Sequence, residues 1–273
     1  MTPFTAACVQ LNAGDDLGVN LAAAAAGIAE AAARGADFIA LPENVALMAA
    51  DAAAAARDAT AEETHQAVRV LGAAARKAGR WVLAGTVGVR AGDRLANRLV
   101  LFAPHGAVAA RYDKIHMFDV DLPDRSYRES ATYGAGQHAV VTALPWLSLG
   151  LSVCYDVRFP HLYRALAKAG AGMLAVPSAF TDVTGGAHWH VLLRARAIEN
   201  GCYVIAPAQC GVHPGGRRTF GHSLIVAPWG EILAEAGEVP AVITATIDPA
   251  QVLEARRRIP ALTHDRDFSV RRS

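Results

Sequence analysis

The chain has 273 residues, 26 of them Lys or Arg and 25 Asp or Glu, with 53% hydrophobic and 19% charged residues. This length accommodates one large α/β domain with a sizeable core, and the composition excludes disorder as the main state. A net charge of +1 leaves no basic surplus for nucleic-acid backbones or anionic lipid.

The N-terminus has no basic start and no cleavable apolar stretch, so a cytoplasmic protein is expected. Residues 5–10 read as a strand, 17–34 as an Ala-rich helix and 37–41 as a strand, an α/β beginning. Gly35 and Gly79 stand where left-handed residues end helices, the second after a helical stretch over 61–77. The Ala run 52–56 also suits a helix. Strands at 81–89, 95–103 and 107–112 are joined by turns too short for crossover helices, so here the sheet must run antiparallel.

An irregular polar stretch, 113–136, precedes strands at 138–143 and 147–153. Residues 139–155 are uncharged but broken by Thr142, Pro145, Ser148, Gly150 and Ser152, which suits two strands rather than a membrane span. Pro160 opens a helix over 160–168, followed by a strand at 173–176, a helix at 186–200, a strand at 203–208 and hairpin strands at 223–226, 231–236 and 242–247. No linker, repeat or composition break divides the chain, so residues 1–273 read as one domain of mixed sheets covered by helices. A basic tail begins at about 261.

Four cysteines, Cys8, Cys154, Cys202 and Cys210, have no paired metal spacing and no disulfide framework. Cys154 ends the segment Leu147-Ser-Leu-Gly-Leu-Ser-Val-Cys154, in which alternation puts Leu147, Leu149, Leu151 and Val153 on one face. Ser148, Gly150, Ser152 and Cys154 fall on a small, polar face. A helix follows within a few residues, at Pro160, so the sulfur sits at a strand-to-helix corner where backbone N–H groups lower a thiol pKa and hold an oxyanion. A buried packing cysteine is the alternative for Cys154 and the better reading for the other three.

A nucleophilic thiol needs a base and a positive group where the carbonyl oxygen gains charge. Glu43 follows a parallel-type strand at the sheet edge where α/β proteins collect functional groups, and Lys114 follows another strand among interleaved aromatics. Glu129 lies in the irregular stretch and could hold a lysine. His116, His188 and His222 are the histidine candidates for a Cys–His pair, and no spacing favours any of them. His188 and His190 are two residues apart and diverge on a helix, which argues against a shared metal. Gly134-Ala-Gly136-Gln-His-Ala139 imitates a dinucleotide fingerprint but precedes a strand, so no NAD site is expected, and neither a phosphate-cradling loop nor a serine-hydrolase elbow occurs.

Three blocks in chain order resemble the nitrilase superfamily of carbon–nitrogen hydrolases: Leu41-Pro-Glu43-Asn, Tyr112-Asp-Lys114-Ile-His-Met-Phe-Asp119 and Ser152-Val-Cys154-Tyr-Asp-Val-Arg158-Phe-Pro160. The similarity runs to about Pro260, and Glu129 resembles the family's second glutamate. The blocks around Phe180, His188-Trp189, Glu199-Asn200, Cys210 and 221–230 are most similar to deaminated glutathione amidases and their ω-amidase relatives. The resemblance implies a four-layer αββα sandwich that dimerises, with no metal or organic cofactor and a small-molecule amide as substrate. It implies catalysis by Glu43, Lys114, Cys154 and Glu129, an oxyanion site of Lys114 and the Tyr155 N–H, and a pocket for an α-keto acid end lined by Arg158, Phe180 and Thr184. A guanidinium such as Arg158 suits a carboxylate through two parallel hydrogen bonds. A catalytically silent binding relative is the reading from another class. The chain departs from the family pattern twice: His190 replaces a usual Glu near the expected pocket, bearing on substrate identity, and Ala227 replaces an Asp at an expected turn.

Overall fold

The computed structural model of the chain describes residues 2–123 and 125–272. In chain order the first half holds β1 (Phe4–Gln10), α1 (Leu17–Ala33), β2 (Phe38–Ala40), α2 (Ala52–Arg57), α3 (Gln66–Ala78), β3 (Trp81–Ala91), β4 (Arg94–Phe102) and β5 (Val108–Asp113). The stretch read as irregular contains a small hairpin, β6 (Asp119–Asp121) and β7 (Ser126–Arg128), and the two-residue β8 (Tyr133–Gly134). Then come β9 (Val140–Ala143), β10 (Ser148–Leu151), α4 (Pro160–Lys168), β11 (Ala171–Ala175), α5 (Asp182–Asn200) and β12 (Tyr203–Ala206). The chain continues through β13 (Cys210–Val212), β14 (Arg218–Phe220), β15 (Leu224–Val226), β16 (Ile232–Glu235), β17 (Ala241–Ile247) and α6 (Pro249–Arg258).

Two mixed sheets form the centre, ordered β17-β1-β2-β3-β4-β5 and β16-β15-β12-β11-β10-β9. Each has a parallel trio, β1-β2-β3 in one and β10-β11-β12 in the other, flanked by antiparallel strands. Side-chain alternation sorts the first sheet into two cores. Ala7, Val9, Ile39, Leu41, Val82 and Val100 pack with Leu21 and Ile28 of α1 and Leu71 of α3. Phe4, Ala6, Cys8, Phe38, Leu83 and Leu101 instead join residues of the second sheet and of α4 and α5. The layers are therefore helix, sheet, sheet, helix, the αββα sandwich expected. Cys8 donates across the inner interface to the Leu224 carbonyl at 3.7 Å.

Local signals explain most boundaries. The Asp16 carboxylate caps α1 by accepting from the Val19 N–H at 2.9 Å, Gly79 closes α3 at φ +64°, and Pro160 opens α4. Gly136, part of the false dinucleotide fingerprint, serves a close crossing: a Cβ there would lie 2.1 Å from the Asp113 carbonyl oxygen. Ala227 starts the turn joining β15 to β16, its carbonyl accepting from the Gly230 N–H at 2.9 Å.

Three expectations need correction, and one helix goes unread in the sequence. The strand 242–247 is not part of a hairpin with 231–236; it crosses to the other sheet and pairs antiparallel with β1, Val9 opposite Val242. The helix expected over 61–77 is a 3₁₀ turn, Glu62–Thr64, followed by α3, because buried Glu62 is held by Arg98 and Arg111 while the His65 ring caps Ala67. The unread helix is α6, just before the basic tail, with Asp248 as its cap and Pro249 at its start. The small face of 147–154 is not polar in its surroundings: Gly150 lies against Leu166, Ala171 and Leu174, and Ser152 is buried and bonded to Tyr163.

Candidate active site

The loops at the carboxyl ends of the parallel strands converge on one cavity of about 270 Å³. Glu43 enters from the loop after β2. That loop lies so close to β3 that a Cβ on Gly85 would sit 2.2 Å from the Leu41 carbonyl oxygen, a contact only glycine permits. The next residue, Asn44, holds φ +56°, with its N–H donating to Thr86 Oγ1 at 2.8 Å. Glu43 is 2% exposed. Its Oε2 accepts from the Ala179 N–H and its Oε1 from Lys114 Nζ, both at 2.9 Å, and Oε1 also accepts from Asn97 Nδ2 at 3.0 Å.

Lys114, immediately after β5, is as deeply buried as Glu43. Its ammonium lies between two carboxylates, donating to Glu129 Oε2 at 2.8 Å as well as to Glu43. Glu129 is itself fixed by the Phe118 N–H at 2.7 Å and by Asn97 Nδ2 at 2.9 Å. Asn97, on β4, thus bridges the two acids. The sequence offers no signal for it, since a lone Asn in an apolar strand reads as a packing irregularity.

Cys154 stands at the predicted corner, where β10 gives way to a 3₁₀ turn, Cys154–Arg158. It holds φ +49°, a strained conformation for a residue with a Cβ. Its N–H donates to the Pro177 carbonyl at 3.0 Å. Tyr155, at the second position of the turn, has an N–H with no partner inside the turn. Fully buried Asp156 ties the corner to the lysine segment: it accepts from the Val153 N–H at 2.9 Å, the Tyr112 hydroxyl at 2.7 Å and the His116 N–H at 3.1 Å. Tyr112 and His116 flank Lys114, so one carboxylate sets ammonium and sulfur in a common frame.

The electrostatics follow from this geometry. Contrary to the lowering expected at this corner, burial and the neighbouring Glu43 charge push the Cys154 thiol well above its ordinary pKa, which Lys114 only partly opposes. Burial would raise Glu43 too, but the Lys114 ammonium, with help from Arg217 and the thiol, carries its carboxyl below the usual range. Lys114 resists burial because Glu129 and Glu43 surround it, so its pKa lies well above the ordinary value. The resting site therefore holds a neutral thiol, an ammonium and an ionised Glu43.

Of the residues expected in the substrate pocket, Phe180 and Thr184 line the cavity and Arg158 does not. The Arg158 guanidinium lies over the Phe180 ring at 5.2 Å and donates to His188 Nδ1 at 3.3 Å. Arg217, Arg125 and Arg128 line the cavity instead. Arg217 donates to the Ala179 carbonyl at 2.7 Å, while its Nε, shielded from solvent, has no partner among the described residues. No histidine is among the lining residues. His116 is bound to Asp156 through Nδ1 at 2.7 Å and stacked on Phe159, His188 faces Arg158, and His190 and His222 meet Glu235. Cys8, Cys202 and Cys210 are buried away from this cavity. None of the described helices is long and apolar enough to cross a membrane.

A family model described as carbon-nitrogen hydrolase matches residues 5–257. A protein of Synechocystis sp. (strain PCC 6803 / GT-S) named deaminated glutathione amidase is 45% identical over 97% of this chain and 98% of its own. The human protein named omega-amidase NIT2 is 34% identical over 97% of this chain and 96% of its own. The crystal structure of Saccharomyces cerevisiae Nit3, described as a member of branch 10 of the nitrilase superfamily, superposes with a TM-score of 0.88. It is 30% identical, with 97% of each chain covered. The chain belongs to the carbon–nitrogen hydrolase family and is an enzyme that hydrolyses amides.

Proposed function

We propose that Cys154 is the nucleophile of an amidase that cleaves a linear carboxamide C–N bond through a thioester. The observation that carries this reading is the buried ammonium of Lys114 held between Glu43 at 2.9 Å and Glu129 at 2.8 Å beside the thiol. Because the proton rests on sulfur and Glu43 is a weakened base, a free thiolate is costly, and transfer to Glu43 accompanies C–S bond formation. As sulfur attacks the carbonyl carbon, the oxygen takes up the π electron pair opposite the Lys114 ammonium and the Tyr155 N–H. The C–N bond then breaks as Glu43 passes its proton to nitrogen, and the amine leaves. Water attacks the thioester, gives one proton to Glu43 and expels the sulfur, which recovers that proton as the acid departs. Glu129 orients Lys114 through its two contacts and the Phe118 N–H.

The substrate we propose is deaminated glutathione, in keeping with the 45% identical relative of that name, with ω-amides of α-keto acids as the second reading from the ω-amidase relative. In either case a carboxylate has to be met. Arg217, with its unpartnered Nε at the cavity wall, is the guanidinium for that task, while Arg158 backs Phe180 from behind. An amide panel tests this: deaminated glutathione should turn over with the highest kcat/KM, and α-ketoglutaramate in first place would favour the ω-amidase reading. Arg217→Gln should raise KM for the carboxylate-bearing amide by about 10-fold or more. Binding of every amide with no product from any would mark a silent binding protein.

We further infer a cytoplasmic homodimer. The four cysteines are free thiols, and Val183, Val191 and Ile198 expose an apolar side of α5 at helical spacing. Sedimentation velocity should give twice the chain mass; a monomer at micromolar concentration would reject the dimer.

A further inference from the structure

Outside the cavity, three side chains from separate elements converge: His190 from the middle of α5, His222 from the bend after β14, and Glu235 at the end of β16. His190 Nε2 lies 2.9 Å and His222 Nδ1 2.8 Å from the same carboxylate oxygen, Glu235 Oε1. We propose that these residues form a binding site for a late first-row divalent cation, Zn²⁺ foremost.

The donor set decides the class of ion. Two imidazole nitrogens and one carboxylate oxygen suit zinc and its neighbours, whereas calcium and magnesium take oxygen shells. Zinc at about 2.0–2.1 Å from each donor needs donor atoms roughly 3.3 Å apart in a tetrahedron. Opening the observed contacts by about half an ångström through side-chain rotation meets that requirement. All the donor atoms lie within 4.8 Å of one another, and the side chains are 33%, 21% and 36% exposed, leaving room for water as a fourth ligand.

The backbone is built for this convergence. Among the described residues only Asn44, Cys154 and His222 hold positive φ without being glycine; the first two belong to the catalytic loops, and the third, at +52°, aims the His222 ring. The His222 N–H donates to the Gly237 carbonyl at 3.0 Å, its carbonyl accepts from Trp189 Nε1 at 2.7 Å, and its ring stacks on Phe220 at 4.3 Å. A ligand held by this frame is pre-organised, unlike one on mobile surface side chains. The bound ion would clamp α5, whose first turn supplies Thr184 to the cavity, against the strands behind it.

Zn²⁺ titrated into the full chain carrying Cys154→Ala, which removes the cavity thiol, is the test. One equivalent should bind saturably, Mg²⁺ should give no signal, and His190→Gln or Glu235→Gln should weaken binding by at least about 10-fold. His222→Asn, a residue that tolerates positive φ, should do the same while keeping the fold. Co²⁺ in the same site should give a tetrahedral spectrum without a thiolate charge-transfer band, and added Zn²⁺ should raise the thermal midpoint of the parent but not of His190→Gln. No saturable binding, full affinity in His190→Gln, or a thiolate band would overturn the proposal, leaving a carboxylate hydrogen-bonded to two imidazoles.

Discussion

Cys8 and Cys154 are both buried, though only Cys154 borders the cavity, and burial is the largest influence driving both thiols well above their ordinary pKa. Cys8 lies mid-strand in β1 between the two sheets, with a backbone carbonyl as its hydrogen-bond acceptor. Cys154 lies where a strand ends, on strained backbone, with a carboxylate and an ammonium beside it. Desolvation alone therefore does not identify a reactive thiol. In the mechanism we propose, what separates the two is a base to take the proton and a cation to receive the charge that develops on the substrate oxygen.

Deleting each sulfur in turn separates the two thiols most strongly. Cys154→Ala should lower kcat by about 10⁴-fold or more with the melting temperature preserved. Cys8→Ala should keep the activity while costing about 1 kcal/mol in denaturant unfolding. Equal losses of activity would erase the distinction. Next in size, Glu43→Gln should reduce kcat by about 10²–10⁴-fold, with thioester formation and thioester hydrolysis both slowed in single-turnover experiments. Asn97→Ala removes the amide shared by the two acids; activity should fall by about 10–100-fold with a smaller change in KM, since each orphaned buried hydrogen bond costs about 1–3 kcal/mol.

The pH profile sharpens the contrast least invasively. Glu43 is depressed and Lys114 raised, so kcat/KM should hold level through neutrality. It should fall at acid pH below the ordinary glutamate range, and at alkaline pH only above the ordinary lysine range. Their contributions to stability have the same signs: that of Glu43 is present above its unfolded pKa and lost as pH falls through its lowered folded value. That of Lys114 is present below its unfolded pKa and lost as pH rises through its raised one. A loss of kcat in His116→Gln as large as that in Glu43→Gln would revive a Cys–His pair.

Much of this was legible in the chain because local rules and tertiary packing agree. Alternation, Pro160 and Gly79 mark real strands and helix ends, and the strand-to-helix corner at Cys154 follows from eight residues of sequence. Elsewhere the answer depends on partners distant in sequence. Nothing in 241–247 reveals that the strand pairs with β1 rather than with its hairpin neighbour. Asn97 gains meaning only when residues 43 and 129 fold against it, and Arg217 enters the cavity wall because β14 returns beside Ala179. Arg158 carried the right chemistry for a carboxylate, but the turn after Cys154 directs it behind Phe180.

Rapid-quench mass spectrometry reads the transfer of the acyl group to the Cys154 sulfur directly. During turnover of an amide substrate, the peptide containing Cys154 should gain the mass of the acyl moiety, transiently in the wild type and never in Cys154→Ala. Steady product formation with that peptide unmodified, or the same acyl mass on another residue, would exclude Cys154 as the acyl acceptor.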